Sequence, residues 1–417
     1  MTVQQPGEQS PRLRPLDIRY FADGRESYLV LRDPLGLSPS ELVLPAWAGP
    51  ILGLMDGSRD LTRIQAAYQL LTGRPLSYQQ LAGLVARLEE ELLLDGPRFR
   101  RACEEALRAY RAAPHRPPAL AGKVYPERAE ELTAALDSYV RQAGLSLAEA
   151  DEGIVGVISP HIDYGRGWRA YAHAWSAAAA AARRAELVIA LGTDHAGGRG
   201  RLTLTRQSYA TPLGVLPTDQ QAVEELARAL GEEWAFAEEL HHRNEHSLEL
   251  ALVWLHYVRQ GEPCAVLPVL CGSLAHFLEG DYGPESDQRL EAALAVLRSL
   301  TRERRSLVVA AADLAHVGPA FGDSVPFDLA GRASLRRADG RLLTAIEAGD
   351  ADAFLHPVRE EGDRWRICGL SPIYLTLRLL QGARGRLLAY EQCPADPQGG
   401  SLVSVAAVVL ASSTAAC

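Results

Sequence analysis

Lysine is almost absent from this chain, because Lys123 is the only one among 417 residues. Mechanisms that need a lysine Schiff base therefore have a single residue to use, and nothing around it predicts a desolvated amine. Long apolar runs are absent too, and the longest, at 174–182, is too short to cross a bilayer. The initial residues MTVQQPGEQSPRLRP lack the apolar centre of a secretion signal, which predicts a cytoplasmic protein without a membrane partner.

Cysteine is scarce and scattered, and several common functional motifs are missing. None of the six cysteines has CxxC spacing, which argues against a zinc ribbon or a disulfide framework. The formal net charge of −9 gives the chain no general attraction for nucleic acid. The sequence has no GxSxG elbow, no Walker-type phosphate loop and no HExxH helix, so the enzyme classes built on those motifs are disfavoured.

The chain is too long for one ordinary core, and its pattern changes near residue 113. The first part predicts a strand at 28–32 and helices at 40–55, 61–71, 77–94 and 100–111, with Asp60 or Ser58 and then Ser77 as caps. This is a compact module of winged-helix type. The run APHRPP at 113–118 predicts a linker. We therefore expect a module with its preceding tail at 1–112, a linker at 113–120 and a domain at 121–417.

Beyond the predicted linker, apolar strand patterns alternate with amphipathic helices. Runs at 154–159, 187–191, 265–270 and 307–312 predict buried strands, and strands at 386–391 and 402–410 close the chain. We predict an α/β fold whose central mixed sheet is flanked by helices. Ligands in such folds gather at the carboxyl ends of parallel strands.

Residues that can bind metals follow several of these strands. His161 and His195 come directly after two of them, and imidazole is the commonest transition-metal ligand. The third ligand is Cys368, Asp313 or His316, which leaves open positions for oxygen or substrate. Each of these residues also has a structural interpretation, as a hydrogen-bonded histidine, a buried cysteine or a helix cap. The residue pattern leaves that choice open.

Other polar residues are assigned to structure at this point. His241 and His242 are predicted to form a solvated loop pair, and His256 to lie on a helix surface. Glu245 precedes His246 at a predicted helix start, where a carboxylate suits capping and the helix dipole.

From residue 121 to 410 the chain resembles the Memo family, also known as protein B of the AmmeMemoRadiSam system. The resemblance is carried by motifs in a fixed order: AGKVYP at 121–126, SPHIDYG at 159–165, LGTDH at 191–195, TPLG at 211–214, EHSLE at 245–249, LPVL at 267–270, Asp313 with HVG at 316–318, and Cys368-Gly369. The motifs at 211–214 and 245–249 are especially specific; no single motif is decisive, but the ordered set is.

This resemblance implies a fold similar to class III extradiol dioxygenases, which hold non-haem iron(II) and open catechol rings. It also implies that the metal ligands are His161, His195 and Cys368. Three further residues would line the same pocket and have catalytic roles: His316, His246 and Asp313. Iron(II) is the expected metal, with copper and zinc as alternatives. His316 or His246 is the expected proton shuttle. The cysteine replaces the glutamate of those dioxygenases and makes the site softer.

The N-terminal part resembles PqqD-type modules through LGLMDGSRDL at 52–61 and LVARLEEELLLDG at 84–96. Such winged helices present a peptide to a modifying enzyme, often a radical SAM enzyme, and a peptide can add as a strand to a sheet edge. A module that only packs or dimerises is the plainer interpretation. DNA binding is disfavoured, because acidic residues outnumber the few arginines between 36 and 96.

Three functions are compatible with these features. The leading one is a cytoplasmic Memo-family protein with a non-haem iron site, performing dioxygenase-like redox chemistry on an unknown substrate beside a radical SAM partner and its peptide. The alternative is a non-catalytic peptide-binding or scaffold protein that uses a degenerate metal pocket for recognition. A zinc hydrolase with His316 or Glu245 as base ranks last, because a cysteine ligand favours softer metals.

Overall fold

The computed structural model describes residues 10–22, 26–150, 153–280 and 282–412, which fall into two compact units that divide between Ala112 and Ala113. The prediction about a secretion signal rests on residues 1–15, most of which lie outside the described residues. Cys417, one of the six cysteines, also lies outside them. Within the described ranges, no helix is both long and apolar enough to cross a membrane.

The first unit is a three-stranded antiparallel sheet followed by four helices. Its elements are β1 (Asp17–Ala22), β2 (Ser27–Arg32), β3 (Leu42–Pro45), α1 (Gly49–Leu54), α2 (Leu61–Thr72), α3 (Tyr78–Glu90) and α4 (Pro97–Ala112). Strand β2 lies between the other two. The predicted caps are present: Asp60 accepts a hydrogen bond at the start of α2, and Ser77 forms a capping box with Gln80 at the start of α3. These caps fix where the helices of the module begin.

The predicted helix at 40–55 is wrong in its first half, where the structure has strand β3. Leu42 and Leu44 are buried while Val43 is 50% exposed, which is the alternation of a strand with one covered face. Pairing with β2 and burial of the two leucines outweigh the helical spacing, and the α-helix begins only at Gly49.

The second unit is built from alternating helices and strands around one sheet. Its elements are α5 (Ala129–Gln142), β4 (Ile154–Ser159), α6 (Tyr164–Arg184), β5 (Leu187–Thr193), β6 (Leu202–Leu204), β7 (Tyr209–Thr211), β8 (Gly214–Leu216), α7 (Gln220–Leu230), α8 (Glu232–Phe236), α9 (His246–Val258), β9 (Ala265–Cys271), α10 (Gln288–Glu303), β10 (Ser306–Ala311), β11 (His316–Val317), α11 (Leu329–Ala348), α12 (Ala351–Glu360), α13 (Leu370–Leu379), β12 (Arg384–Pro394) and β13 (Leu402–Ala411).

The sheet of the second unit has eight strands and is mixed, as predicted. Its order is β11-β13-β4-β10-β5-β9-β6, with β12 paired to β13. Strands β4, β10, β5 and β9 run parallel to one another, while β13 and β6 run antiparallel to their neighbours β4 and β9. The four parallel strands therefore end at one edge, where the polar residues follow.

Helices cover both faces of this sheet. Alternate residues of β5 face opposite sides, so Val188 and Ala190 join one apolar cluster and Ile189 and Leu191 the other. On the first side α6 packs against α9, and on the other α13 packs against β5 and β10. Burial on both faces explains why the parallel strands read as continuous apolar runs.

The predicted linker at 113–120 is an ordered part of the second unit. Arg116 is 0% exposed, and the backbone N–H groups of Ala119 and Leu120 donate to the Glu249 carboxylate at 2.9 and 2.8 Å. A proline-rich sequence is typical of linkers, which is why the sequence predicts one here. A buried arginine, however, needs a charged partner inside a folded unit, and the Glu249 carboxylate lies 2.6 Å from Arg116.

Candidate metal centre

Three neighbouring strands of the second unit deliver a polar side chain to the same edge of the sheet. Strands β4, β10 and β5 are adjacent and parallel. His161 follows β4, Asp313 follows β10 and His195 follows β5. Because the carboxyl ends of parallel strands meet at one edge, residues distant in sequence come together here.

His161 is held so that one ring nitrogen faces the centre of this group. Its backbone N–H donates to Asp313 Oδ1 at 2.8 Å, and its Nδ1 lies 3.0 Å from the carbonyl oxygen of Ala311. A carbonyl can only accept, so Nδ1 carries a proton and Nε2 is the nitrogen left to bind a metal. That Nε2 lies 3.3 Å from Sγ of Cys368. The tautomer required of a metal ligand is therefore set by the protein.

Glu245 orients the two other histidines of the group. As the cap of α9 it accepts from the N–H groups of His246 and Ser247, and its carboxylate lies 3.1 Å from Nδ1 of both His195 and His246. Burial alone raises the pKa of Glu245, but the imidazoles of His195 and His246 outweigh burial and hold that pKa well below its usual range. The ionised carboxylate thus fixes both rings, which stack 4.7 Å apart.

A glycine lets α9 approach the end of β5. A Cβ on Gly192 would lie 2.6 Å from Leu248 and 2.7 Å from Ser247, distances that real Cβ atoms do not adopt. The Ser247 hydroxyl donates to the Thr193 carbonyl at 2.8 Å across the same contact. The start of α9, with Glu245 and His246, is therefore pressed against the strand that precedes His195.

Cys368 enters the group from the segment before α13. Its neighbour Gly369 makes this approach sterically feasible, because a Cβ there would lie 2.3 Å from the Asp313 carbonyl oxygen. Burial raises the pKa of the Cys368 thiol, but the imidazoles of His161 and His316 outweigh burial and hold that pKa well below its ordinary value. Cys368 is therefore ready to act as a thiolate ligand.

His316 lies next to Cys368, with which it forms a side-chain hydrogen bond. It belongs to β11, the two-residue strand that pairs with β13, and its ring packs edge-on against Phe321. Burial lowers the pKa of His316, but the Cys368 thiolate outweighs burial and leaves that pKa raised. A protonated imidazole next to the ligand group can donate a proton into the pocket.

The ligand atoms form two overlapping groups that share His161. The first contains His161, His195 and His246, the second His161, Asp313 and Cys368, and within each group the ligand atoms lie within 4.8 Å of one another. Ligands that share one ion at bond lengths of about 2.0–2.3 Å lie roughly 3–4 Å apart. The 3.3 Å between Cys368 Sγ and His161 Nε2 fits such a shared ion. Imidazole and thiolate donors together suit a transition metal.

The group is closed on one side and open on the other. The side chain of His161 is only 2% exposed, whereas those of His195 and His246 are 38% and 39% exposed. A small molecule can therefore reach the group from the side of His195 and His246.

Three histidines lie in surroundings that differ from the prediction. His241 and His242 are no solvated pair: His241 Nδ1 lies 3.0 Å from Asp194, and His242 is 0% exposed between the Tyr209 hydroxyl and the Thr203 carbonyl. His256 is also 0% exposed and lies 2.8 Å from the Thr211 hydroxyl. Their partners are remote in sequence, so local pattern could not reveal them.

A further ligand-capable group, Asp194 with Glu238 and His241, lies beside the main one. Its charges already have partners, because His241 pairs with Asp194 and Arg201 lies 3.4 Å from Glu238. Asp194 therefore points away from the main group, although it directly precedes His195. Asp163 is likewise outside it, as the cap of α6.

The role that sequence reasoning missed at this site is that of Glu245, which the sequence predicts as a helix cap and, in the lowest-ranked function, as the base of a hydrolase. It does cap α9, but the same carboxylate orients His195 and His246. The sequence feature that could have revealed this role is the position of Glu245 directly before His246 at a predicted helix start. That position brings the carboxylate and the imidazole to the same end of the helix.

Comparison with known proteins assigns the second unit to a family. A family model described as Memo-like protein matches residues 116–409. A MEMO1 family protein of Aquifex aeolicus is 27% identical over 405 residues, which cover 96% of this chain and 99% of that protein. One from Thermus thermophilus is 30% identical over 340 residues, covering 81% and 94%. One from Nitrosopumilus maritimus is 27% identical over 285 residues, covering 66% and 91%. The chain belongs to the Memo family.

Proposed function

We propose that this protein holds a ferrous ion between His161, His195 and Cys368 and uses it for dioxygenase-like redox chemistry in the cytoplasm. The observation that carries the proposal is that His161 lies close to both other residues: its ligand atom is within 4.8 Å of that of His195, and its Nε2 is 3.3 Å from Sγ of Cys368. Ala311 and Glu245 hold Nδ1 of His161 and of His195, respectively. When bound, such an ion supplies a Lewis-acidic, redox-active centre with positions for an oxygen donor and dioxygen.

The surrounding residues have separate roles in this proposal. Asp313 positions His161 by accepting from its backbone N–H and that of Ile162, at 2.8 and 3.3 Å. His316 donates a proton to the reacting substrate, since the Cys368 thiolate favours its protonated form. His246, on the open side, accepts a proton from an incoming hydroxyl group, while its Nδ1 stays 3.1 Å from the ionised Glu245 carboxylate.

The charge state of Glu245 argues against hydrolysis with that residue as base. Its two oxygens serve two backbone N–H groups and two imidazoles, and these partners hold its pKa well below the usual range despite burial. A carboxylate that is stabilised in its ionised form takes up a proton poorly near neutral pH. This observation ranks the zinc-hydrolase function below redox chemistry.

Metal content after anaerobic purification tests the proposal. We expect about one iron per chain in the native protein, lost in His161→Ala, His195→Ala and Cys368→Ala. Cys264→Ala and His173→Ala are matched controls, because both residues lie outside the ligand groups, and they should keep the metal. Iron in the native protein then justifies oxygen-uptake assays with catechols.

Two outcomes contradict the proposal in different ways. Stoichiometric zinc or copper, with no iron uptake from ferrous salt, overturns the ferrous assignment but keeps the metal centre. No metal even after anaerobic reconstitution overturns the centre itself. The pocket is then a recognition surface, as in the scaffold alternative.

The first unit supports a second part of the proposal, a peptide-presenting role beside a radical SAM enzyme. Its strand β1 is at the edge of the sheet and exposes Ile18, Tyr20 and Phe21 by 40%, 63% and 43%. An edge strand with apolar side chains can pair with an extended peptide. Mixing the full chain with the radical SAM enzyme of the same organism tests this by gel filtration. A complex that Tyr20→Asp abolishes supports the role, and no complex contradicts it.

A further inference from the structure

The segment that leads into the second unit carries a fully buried arginine, Arg116, beside the support of the metal site. Its Nη2 donates to the Glu245 carbonyl at 2.9 Å, and its Nε donates to the His242 carbonyl at 2.5 Å. Its Nη1 pairs with Glu249 at 2.6 Å. A guanidinium in this position cannot lose its charge, so these three partners have to stay in place around it.

We propose that Arg116 is a positioning residue for the metal-site histidines, acting through Glu245. The proposal rests on the proposed metal site. The three partners span the start of α9: carbonyls at positions 242 and 245 precede the helix, and Glu249 lies one turn inside it. One planar side chain therefore holds three points of the chain: the backbone before α9, the peptide at its N-cap and the Glu249 side chain one turn inside the helix.

Fixing the Glu245 backbone also fixes the position of its carboxylate relative to His195 and His246. The carboxylate lies 3.1 Å from Nδ1 of His195 and of His246, and it accepts from the first N–H groups of α9. A rotation of the peptide at Glu245 would move both imidazoles relative to His161. Residues one contact removed from a metal commonly change its affinity about 10–100-fold when mutated. Arg116 is one contact further away, but through Glu245 it affects the proposed ligand His195 and the pocket histidine His246 at once.

The same cluster offers a matched control that leaves Glu245 alone. Tyr125 donates its hydroxyl to the other Glu249 oxygen at 2.6 Å, and its ring is buried against Tyr164. Tyr125→Phe removes one hydrogen bond from the buried ion pair but leaves all contacts of Arg116 with the two carbonyls. It therefore tests for loss of packing and stability without loss of positioning.

Arg116→Lys, Arg116→Met and Tyr125→Phe are compared in the full chain. Cobalt(II) is the probe, because its thiolate charge-transfer and d–d absorption report both affinity and ligand geometry. We expect cobalt affinity to fall about 10–100-fold with an altered spectrum in both Arg116 variants, and to stay native in Tyr125→Phe. Lysine keeps a charge opposite Glu249 but lacks the planar fork, so it should not restore the native spectrum even where it restores folding.

Amide hydrogen exchange separates this proposal from the proposed function. The N–H groups of His246 and Ser247, which donate to the Glu245 carboxylate, should exchange at least about tenfold faster in both Arg116 variants but not in Tyr125→Phe. If the native protein binds no cobalt, the metal proposal fails while exchange still tests the positioning. Native affinity and exchange in Arg116→Lys, or equal losses in Tyr125→Phe, would overturn the positioning role.

Discussion

The two units of this protein use buried charge differently. Among the described residues of the first unit, the core is an apolar cluster, beside which Arg14 and Asp33 form a buried ion pair at 3.0 Å. In the second unit His161, Glu245 and Asp313 are buried together where parallel strands end. The first unit thus has a core of the kind that any small domain needs, and the second accepts buried polar groups at one edge.

The difference shows where each unit can act. Burying an ionisable group costs free energy unless a partner compensates it, so a concentration of such groups with fixed partners marks a site rather than a core. In the first unit large apolar side chains such as Leu70 and Tyr20 are 87% and 63% exposed. We therefore assign the proposed redox chemistry to the second unit and the proposed peptide binding to the surface of the first.

Breaking one buried ion pair in each unit is the strongest test of this comparison. Glu249→Gln leaves the Arg116 charge uncompensated, and Asp33→Asn does the same to Arg14. We expect each change to lower the free energy of unfolding by about 3–5 kcal/mol, but of its own unit only. Scanning calorimetry should show one transition shifted by each variant and the other unchanged. A shift of both transitions by Glu249→Gln would contradict independent cores.

A second prediction concerns a buried carboxyl in the second unit that lies away from the ligand groups. Asp339 is 0% exposed and accepts the Tyr390 hydroxyl at 2.7 Å, and burial raises its pKa to about 6. The folded state then favours the protonated acid. The contribution of Asp339 to the free energy of unfolding is therefore intact below the unfolded pKa of about 3.9 and is lost as pH rises through 6. By pH 8 the loss is about 3 kcal/mol.

Asp339→Asn removes this loss, because a neutral amide keeps the acceptor for Tyr390. The variant should unfold at higher urea concentration than the native protein at pH 8, and the two should converge near pH 4. Tyr390→Phe is the control for the hydrogen bond. A variant that is less stable than the native protein at pH 8 contradicts the raised pKa.

A third prediction tests whether fixed partners distinguish the site from other buried acids. Glu245→Gln weakens the hold on two imidazoles at once, so metal affinity should fall about 10–100-fold with the fold retained. Glu239→Gln is the control, since Glu239 is also buried but contacts Thr205. Titration with cobalt(II), followed by absorption, measures both. Equal losses of cobalt(II) affinity in the two variants would contradict a specific role for Glu245, because any buried glutamate of this unit would then affect metal binding.

Most of the fold was predictable, because its signals are local. Ile154–Ser159 is the predicted strand residue for residue, and apolar runs of this kind are buried on both faces. Asp60 and Ser77 cap helices as predicted. Strand β3 was missed because a four-residue apolar segment carries no distinct period, and pairing with β2 decides it. Strand order and register depend on contacts between remote residues and have no local signal.

The site was predictable only in part, for a related reason. His161 and His195 follow apolar strands, so their meeting could be inferred from the fold class. Cys368 follows no strand, so the residue pattern offered it only as one of three candidates for the third ligand, and the family resemblance selected it. The role of Glu245 for both imidazoles and the burial of Arg116 depend on distances across the fold. Such partners become visible when the elements are placed in space.

The smallest expected effect concerns the exposed apolar surface of the first unit. Leu70 and Leu71 end α2 with 87% and 68% exposure, so Leu70→Gln and Leu71→Gln should change the free energy of unfolding by no more than about 0.5 kcal/mol each. Leu81→Ala, at a fully buried position of the same unit, should cost about 2–5 kcal/mol. Urea unfolding of the three variants measures the contrast. A cost above 1 kcal/mol for either glutamine variant would show that these leucines pack against something. Their exposure would then no longer mark a surface for recognition, and the contrast with the second unit would be lost.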